Sequence, residues 1–280
     1  MNGVVLLEMS IIADDLTGAN DSGVKLAKRG FRTTVMMGEA DAATDRPEVI
    51  VVDTDTRQLA PVDAYRIVRE TAERIRSLGY KEVFKKIDST MRGNIGAEID
   101  AVYDVFQPDM VVIAPAFPEN KRKVIDGYLY VDGKLLHETE ASRDPITPVM
   151  ESYLPKLLEN QTSRKVALIR HEDFHQPIEH LGAKIKILND SGIRYFLFDS
   201  IEDDHLRVIV HVVGMLKQRV AWVGSAGLAS FAPRVNYSGG YRSPHAVAGM
   251  QKPVLTLVGS VNRISRIQLN ELIAAPGVTG

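Results

Sequence analysis

The chain has 280 residues, of which 45% are hydrophobic and 25% charged, a composition typical of one large or two small globular domains. Its formal net charge of −2 provides no overall attraction to nucleic acid or to an anionic membrane, so we expect neither as a partner. The absence of cysteine excludes disulfides, thiolate zinc sites and a cysteine nucleophile, and it is compatible with a reducing cytoplasm.

The amino-terminal segment is apolar but carries neither a basic region nor a small-residue cleavage site. We therefore interpret it as a first strand rather than a signal peptide. No apolar run approaches the roughly 18 residues that a membrane-spanning helix needs. On these grounds we expect a cytoplasmic protein.

Short apolar runs alternate with longer amphipathic stretches through the first part of the chain. The pattern predicts strands at 10–14, 31–37, 48–55, 82–87 and 110–117, and helices at 18–30, 62–79 and 94–106. In the second helix the apolar residues recur at steps of three and four positions, at Ala64, Ile67, Val68, Ala72 and Ile75. Strands that alternate with helices in this way favour a parallel sheet covered on both faces.

The second half adds a different element to this pattern. Asp132-Gly133 separates two β-rich runs and predicts a hairpin. Helices are predicted over 147–160, with Pro148 in the first turn, and over 203–219, and strands at 165–170, 194–199 and 219–224. The predicted fold is a three-layer α/β/α architecture with a mainly parallel sheet and a β-hairpin insertion.

Composition changes near residue 235. We predict a main domain over 1–235, a linker over 236–253 that is rich in Pro, Gly and Ser, and the start of a second domain over 254–280. That last part is predicted to hold a strand at 254–258 and a helix at 263–273, too little to bury a core alone. A strand without its sheet exposes an edge, so we expect a dimer or larger oligomer, or pairing with a separate domain.

Three polar clusters follow predicted strands, where ligands of open parallel sheets bind. The first cluster is Asp14, Asp15, Thr17 and Gly18; the second is Lys86, Asp88, Ser89, Thr90, Arg92, Gly93 and Asn94; the third is Glu119, Asn120, Lys121 and Arg122. Arg92 can hold a carboxylate with two hydrogen bonds, beside a helix N-terminus that attracts anions. Asp14 or Asp15 can accept a proton from a hydroxyl, or hold a hydroxyl or Mg²⁺. Together these clusters predict a site for a small polyol that carries a carboxylate.

Each cluster also has a purely structural interpretation. An aspartate before a helix is commonly an N-cap, and Asp88, Ser89 and Thr90 can cap the next helix in the same way. Lys121, Arg122 and Lys123 are interpreted as a solvated loop, and Ser225 as part of a tight strand-to-helix turn. The seven histidines show no metal-ligand spacing, so no metal site is predicted, and the chain has neither a Walker A pattern nor a GxGxxG fingerprint.

Five segments, taken in order, resemble the four-carbon acid sugar kinase family. They are IADDLTGANDSG, KKIDSTMRGNIGAEI, APAFPENKR, DPITPV and VGSAGLA, and the resemblance extends from about residue 9 to residue 272. The family includes D-threonate, D-erythronate and 3-oxo-tetronate kinases. The resemblance implies an N-terminal domain that binds the sugar acid and a C-terminal domain that binds ATP with Mg²⁺, of which only the first strand, turn and helix match this chain.

The resemblance also implies roles for individual residues. Asp14 and Asp15 are expected to meet the substrate hydroxyls, with Asp15 as the base that deprotonates the attacking oxygen. Lys86, Asp88, Ser89, Arg92 and Asn94 are expected to meet the substrate carboxylate and the remaining hydroxyls. Ser260 matches the serine that follows the first strand of the nucleotide domain, and it is expected to contact ATP.

Two other functions compete with ATP-dependent phosphorylation of a four-carbon sugar acid. The first is a catalytically inactive sugar-acid-binding module, since most of the nucleotide domain has no counterpart in these residues. The second is a signalling receiver domain, suggested by Asp14, Asp15 and Asp53 at strand ends. A receiver also needs a lysine directly at a later strand end, and APAFPEN has none there.

Overall fold

The computed structural model describes residues 8–38, 47–231, 255–259 and 263–279. Contacts between residues divide the chain into two units, residues 1–244 and residues 245–280. The domain scheme predicted above, with its linker over 236–253, remains a prediction because those linker residues lie outside the described ranges.

The first unit is built on an eight-stranded parallel sheet. Its strands, in chain order, are β1 (Met9–Ala13), β2 (Thr33–Met37), β3 (Val49–Asp53), β4 (Glu82–Lys86), β5 (Met110–Ala114), β9 (Val166–Ile169), β10 (Tyr195–Phe198) and β11 (Val220–Gly224). They lie side by side in the order β2-β3-β1-β4-β11-β5-β10-β9, and every pairing is parallel. The missing numbers belong to a separate antiparallel sheet of β6 (Arg122–Ile125), β7 (Tyr128–Val131) and β8 (Lys134–Leu135).

Helices cover both faces of the parallel sheet. They are α1 (Leu16–Lys28), α2 (Pro61–Ser77), α3 (Ile95–Phe106), α4 (Leu154–Glu159), α5 (Ile178–Asp190), α6 (Asp203–Met215) and α7 (Ala226–Ala229). Core residues of α2, α3 and α4 pack on one face of the sheet. Those of α1, α5, α6 and α7 pack on the other. The predicted three-layer α/β/α fold is confirmed.

The strand sequences explain why the sheet is central. β1, β3 and β5 are buried along their whole length and read as unbroken runs such as VIVVD and MVVIA. Successive side chains still point to opposite faces: Ile12 belongs to the core beside α2 and α3, whereas Ile11 belongs to the core beside α1. Burial on both faces removes the polar alternation that a half-exposed strand would show.

The antiparallel sheet contains the predicted hairpin and a second one that was not predicted. Asp132-Gly133 joins β7 to β8, and Asp126-Gly127 joins β6 to β7. All four turn residues have positive φ, between 50° and 81°, as the favoured two-residue hairpin turn requires. The basic run interpreted as a solvated loop is therefore wrong in part, because Arg122 and Lys123 begin β6.

Two further predicted elements are wrong. The helix predicted over 147–160 is confined to α4, with Pro155 in its first turn. The residues before α4 pair with the antiparallel sheet instead: the Leu129 amide donates to the Ser152 carbonyl, and Tyr153 bridges to Tyr128. The strand expected at 254–258 is absent from 255–258, where the described residues of the second unit offer no other strand to pair with. Helix α8 (Arg263–Ile273) in that unit matches the prediction.

Across the described ranges, no helix combines the length and the apolar character needed to cross a membrane.

Candidate functional site

The predicted polar residues gather at the carboxyl edge of the sheet around β1. From β1 the chain first moves to β2 and β3 on one side and then crosses to β4 on the other. The sheet order therefore reverses between β1 and β4, the position at which open α/β sheets form a ligand crevice. Asp14 and Asp15 follow β1, and Lys86 ends β4, so the first two predicted clusters flank this crevice.

The two adjacent aspartates make different contacts. Asp15 is the N-cap of α1, and its Oδ1 accepts from the Gly18 amide at 3.0 Å. The side chain of Asp14 is only 1% exposed, and its Oδ2 accepts from Arg57 Nε at 2.6 Å. Its Oδ1 is buried and has no hydrogen-bond partner among the described residues. The structural interpretation therefore accounts for Asp15 in part, and it leaves one oxygen of Asp14 unexplained.

Arg57 holds both aspartates, a role that was not predicted from the sequence. Its Nη2 lies 2.7 Å from Asp15 Oδ1, and its backbone amide donates to the Asp14 carbonyl at 3.2 Å. Burial acts to lower the pKa of Arg57, but the hydrogen bond and charge of Asp14 raise it above its ordinary value. Arg57 follows β3, the neighbour of β1, so the parallel register is what carries it to the aspartates.

Lys86 is buried in the same crevice, on the α1 side of the sheet. Its Nζ donates to the Ile87 carbonyl at 2.9 Å, and it lies so close to Gly18 that a Cβ there would be 2.7 Å from it. Burial lowers the pKa of Lys86, although the charges of Asp14, Asp88 and Asp15 act in the opposite direction. The Nζ of Lys86 is therefore held beside the first turn of α1.

In the second cluster, Asp88 and Arg92 bind each other. Arg92 Nε donates to Asp88 Oδ2 at 2.6 Å, and Arg92 Nη1 donates to Asp144 at 3.0 Å. Burial acts to raise the pKa of Asp88, but Arg92 lowers it to about 2. The backbone amides of Thr147 and Ile146 lower the pKa of Asp144, also to about 2. Two of the donor groups of Arg92, Nε and Nη1, are therefore occupied by the carboxylates of Asp88 and Asp144.

The other members of that cluster have mixed roles. Asn94 precedes α3, but its side chain makes no capping hydrogen bond; its amide donates instead to the carbonyls of Thr56 and Leu59. It thereby holds the loop that carries Arg57. Thr90 donates to Asp88. Ser89 is half-buried, and its hydroxyl makes no hydrogen bond within the described ranges.

A fully buried ion pair lies beneath the crevice. Lys85 and Glu98 are both 0% exposed and lie 2.8 Å apart. Lys85 also donates to the Ile12 carbonyl of β1, and Glu98 accepts from Thr56 at 2.6 Å. Burial raises the pKa of Glu98 despite the opposing charge of Lys85. This network ties α3 and the loop after β3 to the end of β1.

The third cluster does not join the other two. Glu119 pairs with Lys25 of α1 at 3.4 Å, Lys121 pairs with Asp132, and Arg122 donates to the Asn120 carbonyl. Ser225 caps α7 and donates to the Ala116 carbonyl, so its interpretation as a strand-to-helix turn is confirmed. Ser260, the residue expected to contact ATP, lies outside the described residues.

A further polar group, absent from the sequence predictions, lies at the carboxyl ends of β9 and β10. Asp126, His171 and Asp199 bring potential ligand atoms within 4.8 Å of one another. However, the oxygens of Asp199 already accept from the amides of Asp126, Gly127 and His171 at 2.7–3.1 Å. Mg²⁺ prefers oxygen ligands in octahedral geometry, so a histidine and a saturated carboxylate do not fit it.

The residues that the sequence missed share one property. Arg57, Asp144 and Asp199 are distant in sequence from the groups they contact, by 43, 52 and 72 positions. Position after a strand was the available signal for Arg57 and Asp199, since TDTR (54–57) follows β3 and Asp199 follows β10.

Residues 9–232 match the family model described as sugar-binding N-terminal domain. The chain belongs to the four-carbon acid sugar kinase family. It is 36% identical over 266 residues to a D-threonate kinase of Bordetella bronchiseptica, covering 93% of this chain and 61% of that protein. It is 36% identical over 269 residues to a D-erythronate kinase of Heliobacterium modesticaldum, covering 92% and 58%. The receiver-domain alternative is excluded.

A solved structure supports the same assignment. A domain of unknown function from Bordetella bronchiseptica, a domain-swapped dimer with bound citrate, has a TM-score of 0.70 and 35% identity. The match covers 81% of this chain and 55% of that chain. This family member thus spans roughly three-fifths of the length of the curated relatives named above.

Proposed function

We propose that this sugar-binding domain holds a four-carbon sugar acid in the crevice between β1 and β4 and presents one hydroxyl for ATP-dependent phosphorylation. The observation that carries the proposal concerns Asp14: its Oδ1 is buried and receives no donor from the part of the chain that the structure describes, while its Oδ2 is fixed by Arg57. A buried acceptor without a partner is costly, and a substrate hydroxyl can supply the missing hydrogen bond. The D-threonate and D-erythronate kinases among its relatives indicate the substrate class.

The contacts of Asp15 suit it to proton transfer. Its Oδ1 is occupied by Gly18 and Arg57, but the side chain is 24% exposed, so Oδ2 is the oxygen available to a ligand. In the proposed reaction Asp15 Oδ2 accepts the proton of the attacking hydroxyl, and Asp14 Oδ1 orients a second hydroxyl. Asp88, Ser89 and Asn94 complete the proposed crevice, and Arg92 fixes the loop that carries them.

ATP with Mg²⁺, when bound, supplies the phosphoryl group and the cations that stabilise its charge during transfer. Of the residues in this chain, Ser260 is the one that the family resemblance assigns to ATP. The residues around Asp14 have a different task, which is to hold the acceptor hydroxyl in line and to remove its proton.

The replacement of Asp15 by asparagine tests the assignment of the base. Asp15→Asn keeps an N-cap and an acceptor for Arg57, so the fold and sugar-acid affinity are expected to remain close to wild type. Phosphoryl transfer by the chain, supplemented if necessary with the nucleotide domain of a relative, should fall by about 10²–10⁴-fold. Unchanged turnover would refute the role of Asp15.

A second candidate is a sugar-acid-binding module without phosphoryl transfer. It is favoured by one observation: every residue placed in the crevice falls within 9–232, the segment matched to the sugar-binding model. Calorimetric titration with D-threonate, D-erythronate and their neutral alcohols, with and without Mg-ATP, separates the two. Acid binding with heat that depends on ATP supports the kinase, acid binding without it supports the module, and no acid binding contradicts both.

A further inference from the structure

A series of buried polar contacts beneath the crevice connects α3 to the end of β1. Lys85 and Glu98 form an ion pair at 2.8 Å, and Glu98 accepts from the Thr56 hydroxyl at 2.6 Å. The hydroxyls of Thr56 and Thr54 lie 2.9 Å apart, and Thr54 donates to the carbonyl of Ala13, the last residue of β1, at 2.8 Å. We call these five residues the buried network.

The two groups that pair in the crevice stand directly beside the buried network. Ala13 precedes Asp14 in the chain, and Thr56 precedes Arg57. Arg57 then binds Asp14 twice, through its backbone amide at 3.2 Å and through its side chain at 2.6 Å. A displacement of Thr56 therefore moves Arg57, and with it the only side chain in the described ranges that holds the Asp14 carboxylate.

The first turn of α3 holds the same loop at a second point. The Asn94 side chain donates to the Thr56 carbonyl at 3.0 Å and to the Leu59 carbonyl at 2.9 Å. Glu98 lies one turn further along α3, where its amide donates to the Asn94 carbonyl. Thr56 is thus bound to α3 through both its backbone and its hydroxyl, and it is 0% exposed, so water does not compete for these contacts.

Stability alone does not account for an ion pair at this place. Two charges lose their hydration on burial, and apolar residues of similar volume are often as stabilising or more so. Within the described ranges, Lys85 donates its remaining hydrogen bonds to the carbonyls of Ile12 and Lys86, and Glu98 accepts from Thr56. The pair therefore serves the three segments that carry crevice residues: the ends of β1 and β4 and the loop after β3.

We propose that Glu98, held by Lys85, is a positioning residue of the sugar-acid site. It acts through Thr56, which sets the position of Arg57, and Arg57 orients the carboxylate of Asp14. This inference rests on the proposed function, in which Asp14 meets a substrate hydroxyl. Both members of the ion pair are 0% exposed, so they act on the substrate only through these contacts.

Removal of the Thr56 hydroxyl tests the connection, by calorimetric titration of the full 280-residue chain with D-threonate and D-erythronate. Thr56→Val keeps the shape of the side chain but breaks its hydrogen bond to Glu98. Acid binding should weaken by about 10-fold or more, in keeping with the loss of one hydrogen bond to a charged group. Thr56→Ser keeps the hydroxyl and should restore the affinity.

Thr162→Val is the matched control for this substitution. Thr162 is also buried and also donates to a carboxylate of α3, that of Asp100 at 2.8 Å, but it lies between α4 and β9. The control should lower the midpoint of urea denaturation about as much as Thr56→Val does, since each change removes a buried hydrogen bond to a carboxylate. Its affinity for the acids should stay at the wild-type value.

A double variant covers the case in which Thr56→Val does not fold. Lys85→Met with Glu98→Leu replaces both charges with apolar side chains of similar size, so the urea midpoint should stay at or above that of wild type. Acid binding should nevertheless weaken, because Thr56 has lost its acceptor. A purely structural ion pair would give the opposite result, a change in the urea midpoint with wild-type affinity.

The possible outcomes are distinct. Wild-type affinity in folded Thr56→Val, or in the folded double variant, would overturn the positioning role of Glu98. An equal loss of affinity in Thr162→Val would attribute the effect to general destabilisation and would overturn it as well. If the wild-type chain binds neither acid, the proposed function itself fails, and that result is visible before any variant is compared.

Discussion

Two buried aspartates at the same edge of the sheet differ in how completely the fold satisfies their oxygens. Asp199, after β10, accepts three backbone amides through its two oxygens and ties the turn between β6 and β7 to the loop after β9. Asp14, after β1, accepts from Arg57 through one oxygen, and its other oxygen accepts no hydrogen bond from residues in the described ranges. Burial alone therefore does not mark a functional carboxylate. The proposed role of Asp14 rests instead on its Oδ1, which accepts no hydrogen bond from the described residues and so can accept one from a ligand.

The largest expected effect comes from removing the cation of the crevice. Arg57→Met leaves the buried Asp14 without its partner and removes one partner of the half-buried Asp15. The loss of one member of a buried ion pair costs about 3–5 kcal/mol of unfolding free energy. Urea denaturation at pH 7 measures this. The double variant Arg57→Met with Asp14→Asn should recover part of the loss. Arg66→Met, which removes an exposed pair with Glu70, should change the stability by less than about 1 kcal/mol.

Matched substitutions of the two aspartates sharpen the comparison directly. Asp199→Asn replaces an acceptor oxygen with a donor that faces backbone amides, so it should cost about 2–3 kcal/mol of stability and leave sugar-acid affinity unchanged. Asp14→Asn should have the opposite pattern: it should lower the free energy of unfolding less than Asp199→Asn does, and it should markedly weaken sugar-acid binding. Urea denaturation and calorimetric titration of both variants provide the check. Equal effects on affinity would mean that Asp14 is structural too.

A pH dependence is expected from Asp88. Its pKa is lowered from the ordinary value of 3.8 to about 2 in the folded chain, so the folded state binds this proton less readily than the unfolded state. The difference stabilises the fold by about 2 kcal/mol above pH 5, and this contribution disappears as the pH falls from about 4 to 2. Denaturation curves between pH 7 and pH 2 should show a shallower decline for Asp88→Asn. If the stability of wild type and Asp88→Asn declines equally as the pH falls, Asp88 does not cause the decline.

The smallest expected effects on stability come from alanine substitutions in the two hairpin turns, at Gly133 and Gly127. Gly133 has a φ of +81° with open space around its Cα, so Gly133→Ala should cost only about 1 kcal/mol for the left-handed backbone. Gly127 has a φ of +79°, and a Cβ there would lie 2.8 Å from Tyr153, beside the amides that Asp199 holds. Gly127→Ala should therefore be the more destabilising of the two in thermal denaturation. Equal losses of stability in the two variants would show that the turn at Gly127 accommodates the added Cβ by moving its neighbours at no extra cost.

The sequence by itself determined the three-layer fold and the hairpin at Asp132-Gly133. Alternating apolar runs, a DG dipeptide and a helix cap are local signals, and they were confirmed where tertiary pairing did not compete. The helix predicted from Pro148 failed because residues 152–153 pair with β7 instead. A period of three or four residues cannot reveal that a distant strand offers better hydrogen bonds.

Only the tertiary structure decided how the charges of the crevice are partnered. Asp14, Asp15, Lys86 and Arg92 were expected to form one site because they follow the carboxyl ends of predicted parallel strands. Arg57 and Asp144, which bind Asp14 and Arg92, lie 43 and 52 positions away from those partners in the sequence. Whether a charged side chain finds an ion-pair or hydrogen-bond partner depends on distances of a few ångströms, and the parallel register of β1, β3 and β4 sets those distances. The residue types of a site can therefore be predicted from the sequence. Whether a charged side chain keeps an unused hydrogen-bonding position is decided only by the folded chain.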